Sequence, residues 1–410
     1  MRRITVVTST QLTTCPRMLK AADALHEAGY AVRVISVRNT AWAAAADPQI
    51  HASRGWRWDV VEGARDAAPV RWLTGGLRFR TARAIATRTN GSIRRALGPY
   101  AVGRMHPQLV KAILKEPQDL IYAGTSGTIA AALEASRVTG TPCGIDFEDF
   151  HCGEQERGRV GAALDEIAGT LMAAASQRAA FVTAGSAAIA DACESRFGRR
   201  PIPIHNVFAL PSFEPETTRR AGPLRLYWFS QTIGPYRGLE DVIVAAGRAG
   251  VDCELHLRGV AMSTYVAELE ALVERCAPRL RLIVHGPESP ERMVEACRAF
   301  DVGIATEQAH IPNRALALTN KALTYPLAGL AMVMTDTPGQ RALAQDAGEG
   351  AWTYAPGDVD RLAEGLARWA TSDAALGRAK EASWNAARCR WHWEHQAERG
   401  ALLKLVGGVL

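Results

Sequence analysis

Residues 319–336, which read TNKALTYPLAGLAMVMTD, place a lysine where the start of a helix can hold an anion. Asn320 is a residue type that caps helices, Lys321 lies in the first predicted turn, and an apolar strand follows Gly329. The first backbone N–H groups of a helix have no intrahelical partner and carry partial positive charge. With the full charge of Lys321, such a terminus is suited to a diphosphate, although the pattern also fits an ordinary helix with a solvated lysine.

A second candidate segment, residues 230–238 (SQTIGPYRG), directly follows the predicted strand 224–229. Its hydroxyls, its glycines and its single cation, Arg237, can hold a diphosphate through backbone donors and one positive charge. The alternative is a plain turn that is marked by glycine and proline.

A third candidate segment, residues 144–151 (GIDFEDFH), closes another predicted strand. Asp146, Glu148 and Asp149 lie within four positions of one another, and His151 follows. Neighbouring carboxylates raise each other's pKa and are expensive to bury, so we expect them to face a cleft or solvent. The alternative is a solvated acidic turn.

Strands and helices that alternate along the chain must position these segments. Apolar runs predict strands at 4–8, 32–37, 119–123, 141–145, 179–183 and 202–205, and again at 224–229, 253–258, 280–284, 302–305 and 331–335. Helical patterns separate most of them, which is typical of parallel sheets covered by helices on both faces. Prolines and polar residues at 206–223 indicate a linker.

The chain is therefore predicted to be an α/β protein with two doubly wound domains. We place the first at residues 1–207 and the second at 222–382, with a helix at 383–410 that packs back on the first domain. Ligands of such sheets bind outside the carboxyl ends of the strands, which favours a cleft between the domains.

The amino-acid composition is typical of a globular protein without membrane-spanning helices. The 410 residues are 48% hydrophobic and 22% charged, and no apolar run approaches the roughly 20 residues of a membrane helix. Eight cysteines without a C-x-x-C pair favour a cytoplasmic chain without disulfides. We predict no metal centre, because Cys389, His392 and His395 would sweep around a helix and not converge on one ion.

Residues 51–115 are strongly basic: thirteen Lys and Arg residues face three acidic ones, a net charge of +10. The charge fits a solvated surface or, because Trp72, Leu73, Leu77 and Phe79 interleave with it, peripheral contact with the inner face of a membrane. Nucleic acid is a poorer fit, since no nucleic-acid-binding motif accompanies the charge.

The order of these segments resembles that of family 4 glycosyltransferases. In that family the block that matches residues 319–336 reads Asn/Pro-Lys-hydrophobic-x-Glu-Tyr-x-x-x-Gly. Here it reads Asn320-Lys321-Ala322-Leu323-Thr324-Tyr325 and then Gly329, with Thr324 in place of the glutamate. Two further departures are Gln231, which stands where a basic residue is usual, and Ala315, which stands eight positions after Glu307 where a second glutamate is usual.

The resemblance implies a GT-B fold, in which two Rossmann-like domains face a central cleft, and a set of site residues. It implies catalytic roles for Asp146, Glu148, Arg237, Glu307 and Lys321. It implies donor contacts for Ser230, Gln231, Thr232, Gly234, Arg258, Gly259, His285, Gly286, Asn320 and Thr324, and acceptor-side contacts for Thr10, Arg17 and His151.

The function that the resemblance implies is retaining, metal-independent transfer of a hexose from a nucleotide-diphosphate sugar to an acceptor hydroxyl. The donor is a co-substrate and no cofactor is expected; the acceptor is a glycan or lipid-linked molecule in cell-surface polysaccharide or glycolipid synthesis. Two alternatives stay open: a GT-B sugar-nucleotide epimerase, and a non-catalytic protein that binds nucleotides or sugars.

Overall fold

The computed structural model describes residues 1–39, 44, 47–156, 158–218 and 221–410, and its contacts divide the chain into two compact units. Unit 1 consists of Met1–His205, Ile311–Asn313 and Gln396–Leu410, and unit 2 of Asn206–His310 and Arg314–His395. The described residues of the predicted linker 206–223 therefore belong to unit 2. Arg219 and Arg220 lie outside the described residues.

Unit 1 is built on a parallel sheet with the strand order β3-β2-β1-β4-β5-β6-β7 in the described residues. The strands are β1 Arg3–Thr8, β2 Ala31–Arg38, β3 Arg57–Glu62, β4 Leu120–Gly124, β5 Cys143–Phe147, β6 Phe181–Ala184 and β7 Ile202–Pro203. The central strands β4 and β5 are buried along their whole length, as expected of a sheet covered on both faces.

Helices connect these strands. They are α1 Pro16–Glu27, α2 Asp47–Ala52, α3 Pro69–Ala86, α4 Gly91–Val102, α5 His106–Leu114, α6 Ser126–Thr139, α7 Arg159–Arg178 and α8 Ala187–Phe197. Ser186 caps α8, since its hydroxyl accepts a hydrogen bond from the backbone N–H of Ile189 at 3.0 Å.

Unit 2 repeats the arrangement with the strand order β10-β9-β8-β11-β12-β13. Its strands are β8 Leu224–Ile233, β9 Cys253–Ala261, β10 Leu280–His285, β11 Val302–Ala305, β12 Ala331–Thr335 and β13 Ala351–Tyr354. The helices from β8 onward are α9 Leu239–Ala249, α10 Ser263–Cys276, α11 Met293–Cys297, the short α12 Pro312–Leu316, α13 Asn320–Thr324, α14 Pro338–Ala347, α15 Val359–Thr371 and α16 Asp373–Cys389.

In each sheet the chain reverses the direction in which strands are added. The reversal falls between β1 and β4 in unit 1, and between β8 and β11 in unit 2. The crevice outside the carboxyl ends of the strands at such a switch point is where doubly wound sheets bind ligands.

The predicted strands are confirmed with small shifts, and β11 and β12 have the predicted bounds. Between β10 and β11 the helix is short, because Pro290–Arg292 forms a 3₁₀ turn and only Met293–Cys297 is α-helical. The predicted end of β8 is wrong. After an irregularity between Phe229 and Thr232 the strand pairs again with β9, with Ile233 opposite Ala261.

The end of the chain is shared between the units. Helix α16 belongs to unit 2, and the side chain of Trp391 just beyond it lies in the unit 2 core and donates to Asp346 at 2.9 Å. The segment Gln396–Leu410, which contains helix α17 Ala401–Val409, belongs to unit 1, where the buried Glu398 accepts hydrogen bonds from the backbone and ring of His205. The single helix predicted at 383–410 is therefore wrong: α16 ends at Cys389 in unit 2, and a separate helix, α17, lies in unit 1.

Among the described residues no helix combines the length and the apolar character needed to cross a bilayer.

Candidate functional site

The switch point of unit 2 brings a cluster of charged side chains together. Arg237 lies in the connection after β8, and Glu307 lies two residues after the end of β11, the strand next to β8. Lys321 of α13 and Arg314 of α12 approach the same carboxylate. We call Arg237, Glu307, Arg314 and Lys321 the switch-point cluster.

Glu307 is the centre of the switch-point cluster and is closed to solvent, with an exposed fraction of 0%. The ammonium of Lys321, itself 5% exposed, donates to Oε1 of Glu307 in a short contact, and Arg314 lies 3.4 Å from Oε2. The Lys321 Nζ also lies 5.8 Å from the centre of the Trp228 ring. Lys321 is therefore fixed in place by a buried partner.

The local potential in the cluster is positive. Burial raises the pKa of Glu307, but the charges of Lys321, Arg314 and Arg237 outweigh burial, and this pKa lies below its ordinary value. Burial lowers the pKa of Lys321, and the charges of Arg237 and Arg314 lower it further against the attraction of Glu307. Three cations around one carboxylate leave a net charge of +2, which favours an anionic ligand.

Arg237 is the cation of the cluster with donors to spare. Its side chain is partly buried, and in the described parts of the chain its guanidinium makes no hydrogen bond or ion pair. Burial and the charge of Arg314 lower its pKa from the ordinary value. A half-buried guanidinium without a protein acceptor is suited to a ligand oxygen.

The backbone around Arg237 is held in an unusual conformation. Its carbonyl accepts a hydrogen bond from Thr306 at 2.8 Å, and Gly238 has φ +70°, where an added Cβ would meet the Thr306 carbonyl oxygen at 2.5 Å. Only glycine fits there. Tyr236 also has a positive φ of 63°, which is strained for a bulky residue, and its exposed ring lies 5.2 Å from the ring of His310. Such strain is concentrated at functional sites.

The helix that carries Lys321 differs from the prediction. Thr319 and not Asn320 is the N-cap residue, Asn320 is the exposed first helical residue, and α13 is only five residues long. Thr324 is buried and its hydroxyl donates to the Asn320 carbonyl at 2.7 Å. Of the two interpretations of Lys321, the alternative of a solvated lysine is wrong, since the side chain is buried. The charge of Lys321, and not the short helix, supplies the positive potential.

The predicted donor loop 230–234 is largely strand. Ser230 is partly buried, Gln231 and Thr232 are exposed on β8, and Gly234 follows the strand. Beside them Gly259 has φ +150°, and a Cβ there would meet the Ser230 carbonyl oxygen at 2.4 Å, so the two backbones are in close approach.

Arg258 within β9 lies beside His285 at the end of β10 and Gly286 just after it. The Arg258 guanidinium donates to the Tyr227 hydroxyl at 2.8 Å and to the Gly286 carbonyl at 3.0 Å. His285 Nε2 lies 2.9 Å from Nδ1 of His256, and burial followed by the charge of Arg258 lowers the pKa of His285. This group combines polar atoms with stacked rings, which suits a flat heterocycle.

In unit 1, Asp146 was predicted to face a cleft or solvent, and this prediction is wrong because the side chain is fully buried. It has an exposed fraction of 0% and accepts hydrogen bonds from Arg17 Nε at 2.5 Å and Arg17 Nη2 at 2.6 Å, and another from the Thr183 hydroxyl. Arg17, which lies 129 positions from Asp146 in the chain, binds both carboxylate oxygens and compensates their charge, so the carboxylate can be buried. Arg17 also donates to the Ile204 carbonyl, so its donors serve the interior of unit 1.

Glu148 and His151 keep the properties expected of reacting groups. Burial, followed by the charges of Asp149 and Asp146, raises the pKa of Glu148 to about 7. His151 is buried and its Nδ1 lies 2.6 Å from Glu154, whose charge raises the pKa of the imidazole to about 8 against the effect of burial. Its Nε2 has no hydrogen-bond partner in the described residues.

The switch point of unit 1 holds residues that the sequence analysis did not single out. Thr10, which was predicted, lies 3.1 Å from the Thr8 hydroxyl, while the Ser9 hydroxyl lies 2.7 Å from that of Thr125 at the end of β4. Thr125 has a positive φ of 78°. Isolated threonines carry no sequence signal for this conformation, and only the topology brings β1 and β4 together.

Comparison with known proteins supports the fold. Neither a family model nor a curated protein sequence matches the chain. Among solved structures it is similar to HepE of Anabaena in complex with UDP-glucose, with 17% identity, a TM-score of 0.67, and coverage of 100% of this chain and 98% of that one.

Two other structures give the same result. Sucrose-phosphate synthase of Thermosynechococcus elongatus has 14% identity and a TM-score of 0.68, with 100% of both chains covered. A glycosyltransferase of Rickettsia africae has 10% identity and a TM-score of 0.67, with 100% of this chain and 98% of that one covered. The chain has the GT-B fold of these structures.

Proposed function

We propose that this chain is a glycosyltransferase that transfers a sugar from a nucleotide-diphosphate donor to an acceptor hydroxyl with retention. The observation that carries the proposal is the switch-point cluster of unit 2, where three cations surround one buried carboxylate at the position at which doubly wound sheets bind ligands. HepE of Anabaena, a protein of the same fold, was solved with UDP-glucose, which supports a nucleotide hexose as the donor.

In this proposal the cluster binds the diphosphate and stabilises the charge that grows on it as the anomeric bond breaks. Arg237 contacts the diphosphate oxygens directly, because its guanidinium has no acceptor within the described protein. Lys321 and Arg314, which Glu307 holds in place, contribute positive potential without contacting the diphosphate directly. One well-placed donor in such a site contributes about 3 kcal/mol, or a factor of 10²–10³ in rate. The cations take the part that a metal ion plays in other transferases.

The remaining predicted residues fall into supporting roles. Arg258, His285 and Gly286 hold the nucleobase, the exposed Asn320 lies beside the diphosphate, and the strand residues Ser230, Gln231, Thr232 and Gly234 line the donor's approach, with Gly259 allowing close backbone contact. Thr324 stands where the resemblance places a glutamate that binds the ribose. Its hydroxyl donates to the Asn320 carbonyl within α13, so the ribose lacks this usual partner.

Glu148 and His151 orient the acceptor hydroxyl in unit 1, together with Thr10 near the switch point. Retention requires no strong protein base, since the acceptor proton passes to the departing phosphate oxygen on the same face. Asp146 and Arg17 act as a buried pair that holds the strand β5 against α1. The acceptor class that we propose is a glycan or lipid-linked molecule of cell-surface polysaccharide or glycolipid synthesis on the cytoplasmic side.

A sugar-nucleotide epimerase is the second candidate. The observation in its favour is the pKa of about 7 for Glu148 beside His151, since a carboxyl group that titrates near neutrality can remove and return a proton. A non-catalytic binding protein is the third, favoured by the missing ribose glutamate at Thr324.

One experiment separates the three. Nucleotide sugars are first screened by thermal shift. The nucleotide sugar that raises the melting temperature most is then incubated with the protein and a mixed pool of acceptors, and NMR follows the anomeric proton of the donor sugar. A transferase releases free nucleoside diphosphate, an epimerase converts the sugar while the nucleotide stays attached, and a binding protein leaves the donor unchanged. Either of the last two results would overturn the proposal.

A further inference from the structure

The outward face of helix α3 carries large apolar side chains. Val70, Leu73 and Leu77 are 74%, 57% and 63% exposed. They are spaced three and four positions apart, so they lie on one side of the helix. Ile85, near the end of α3, and Ile93 of the following helix α4 add exposed apolar side chains.

The inward face of the same helix is made of small residues. Gly75, Gly76, Ala82 and Ala86 are buried, and the two alanines pack with Leu164 and Ile167 of α7 in one core cluster. Helices of water-soluble proteins usually bury their large apolar side chains and expose polar ones. Because α3 reverses that arrangement, its outward apolar row has no packing role among the residues that the structure describes.

Uncompensated positive charge surrounds the row. Residues 67–115 contain ten Lys and Arg residues and no Asp or Glu. Among these cations, Arg94 is paired with Glu166, which lies outside that stretch.

Two exposed arginines, Arg80 on α3 and Arg88 just after its end, are different. The exposed Arg80 and Arg88 donate to the Gly76 and Ala84 carbonyls of their own helix at 3.3 and 2.8 Å, and neither has a carboxylate partner in the described chain. Their charges are therefore available to an external anion.

The aromatic residues of the region do not take part in the apolar row. The guanidinium carbons of Arg65 and Arg104 lie 5.5 and 5.3 Å from the centre of the Trp72 ring, and that of Arg83 lies 5.7 Å from the Phe79 ring. Both rings are thus covered by cations. The sequence pattern had grouped them with the leucines, but only the aliphatic side chains point outward.

We propose that this face, formed by Val70, Leu73, Leu77, Arg80 and Arg88, docks on an anionic lipid bilayer. The aliphatic side chains enter the boundary between headgroups and acyl chains, and the arginines bind lipid phosphates. A second copy of the chain is a poorer occupant, because two such faces would bring like charges together. Nucleic acid would satisfy the arginines but leave the apolar row in water.

The proposal does not depend on the proposed glycosyl transfer, and vesicle co-sedimentation of the full chain without any nucleotide sugar tests it. Vesicles of phosphatidylcholine alone are compared with vesicles of equal parts phosphatidylcholine and phosphatidylglycerol, at low salt and at about 0.5 M salt. We expect binding to the anionic vesicles only, weakened by salt. Leu73→Gln with Leu77→Gln, and separately Arg80→Gln with Arg88→Gln, should each weaken binding roughly tenfold or more.

A matched control lies on α6 of the same unit, where Arg137 and Val138 are an exposed arginine and an exposed aliphatic residue. Arg137→Gln with Val138→Gln should leave binding unchanged, and circular dichroism confirms that each variant is folded. The proposal is overturned if the wild type ignores anionic vesicles or if the control loses binding equally. It is also overturned if sedimentation velocity shows that the face joins two copies of the chain, or if RNA and not lipid is bound.

Discussion

Lys321 and Glu307 form an ion pair in unit 2 that solvent does not reach: the lysine is 5% exposed and the glutamate 0%. A carboxylate that is enclosed with three cations leaves positive charge uncompensated, and this excess is what the proposed diphosphate site requires. The pair therefore contributes both to the stability of unit 2 and to its proposed function.

Breaking that pair should destabilise unit 2. Lys321→Met or Glu307→Gln alone should each cost about 3 kcal/mol in the free energy of unfolding, because each leaves a buried charge without its main partner. The double variant should cost less than the sum by at least about 1 kcal/mol. Urea unfolding followed by tryptophan fluorescence measures this, since Trp228 lies beneath Lys321.

The matched control is the exposed pair Arg248 and Asp360 of the same unit. Substituting either of these residues should cost less than about 1 kcal/mol. Strict additivity of the Lys321 and Glu307 substitutions would mean that the two side chains do not interact.

Arg237→Gln should separate function from stability. The guanidinium has no acceptor in the described protein, so the free energy of unfolding should change by about 0.5 kcal/mol or less, while kcat for release of nucleoside diphosphate falls by about 10²-fold. Arg248→Gln should leave both quantities unchanged. A variant at Arg237 that keeps full turnover would remove this residue from the proposed chemistry.

The stability of unit 1 should fall as pH rises from about 4.5 to about 8. The folded state holds a proton on Glu148 up to a pKa of about 7 and on His151 up to about 8, both above the ordinary values of 4.5 and 6.5. Between those values the folded state binds more protons than the unfolded state, so deprotonation favours unfolding.

Glu148→Gln tests this sign. The variant should gain stability relative to the wild type as pH rises through 7, by about 1.4 kcal/mol for each unit by which folding raises the pKa. Glu156→Gln, at an exposed position nearby, should show no such gain. A Glu148→Gln curve parallel to that of the wild type would show that the carboxyl group is not perturbed.

Asp146→Asn should act mainly through folding. The substitution leaves the buried Arg17 without its anion, which should cost about 3–5 kcal/mol in the stability of unit 1. Turnover per folded molecule, measured at low temperature after the folded fraction is determined, should stay within about tenfold of wild type. A loss of turnover without a loss of stability would return Asp146 to the reacting residues.

The sequence was informative about the fold where strands are apolar throughout. The strands β11 and β12 are buried at every position and have the predicted bounds. The strands β3 and β13 were missed, because both lie at sheet edges and are only partly buried, so neither has a continuous apolar run. The end of β8 was misplaced because its polar residues continue to pair with β9 beyond an irregularity.

The site was predictable only as a set of residue types on strand ends. Arg237, Glu307 and Lys321 could be named from their segments, but their enclosure could not, since it depends on contacts between elements distant in the chain. Arg314 carries no local signal and joins the cluster only in three dimensions. For the same reason the sequence predicted that Asp146 faces a cleft or solvent, because its buried partner Arg17 lies far from it in the chain.

The proposed diphosphate site is best tested by calorimetric titration of the full chain with the donor chosen by thermal shift, and with its nucleoside diphosphate. We expect saturable binding of both ligands by the wild type, affinity weakened roughly tenfold or more by Arg237→Gln, and unchanged affinity for Arg248→Gln. Equal affinity of the wild type and the Arg237 variant, or no binding of any nucleotide sugar, would contradict it.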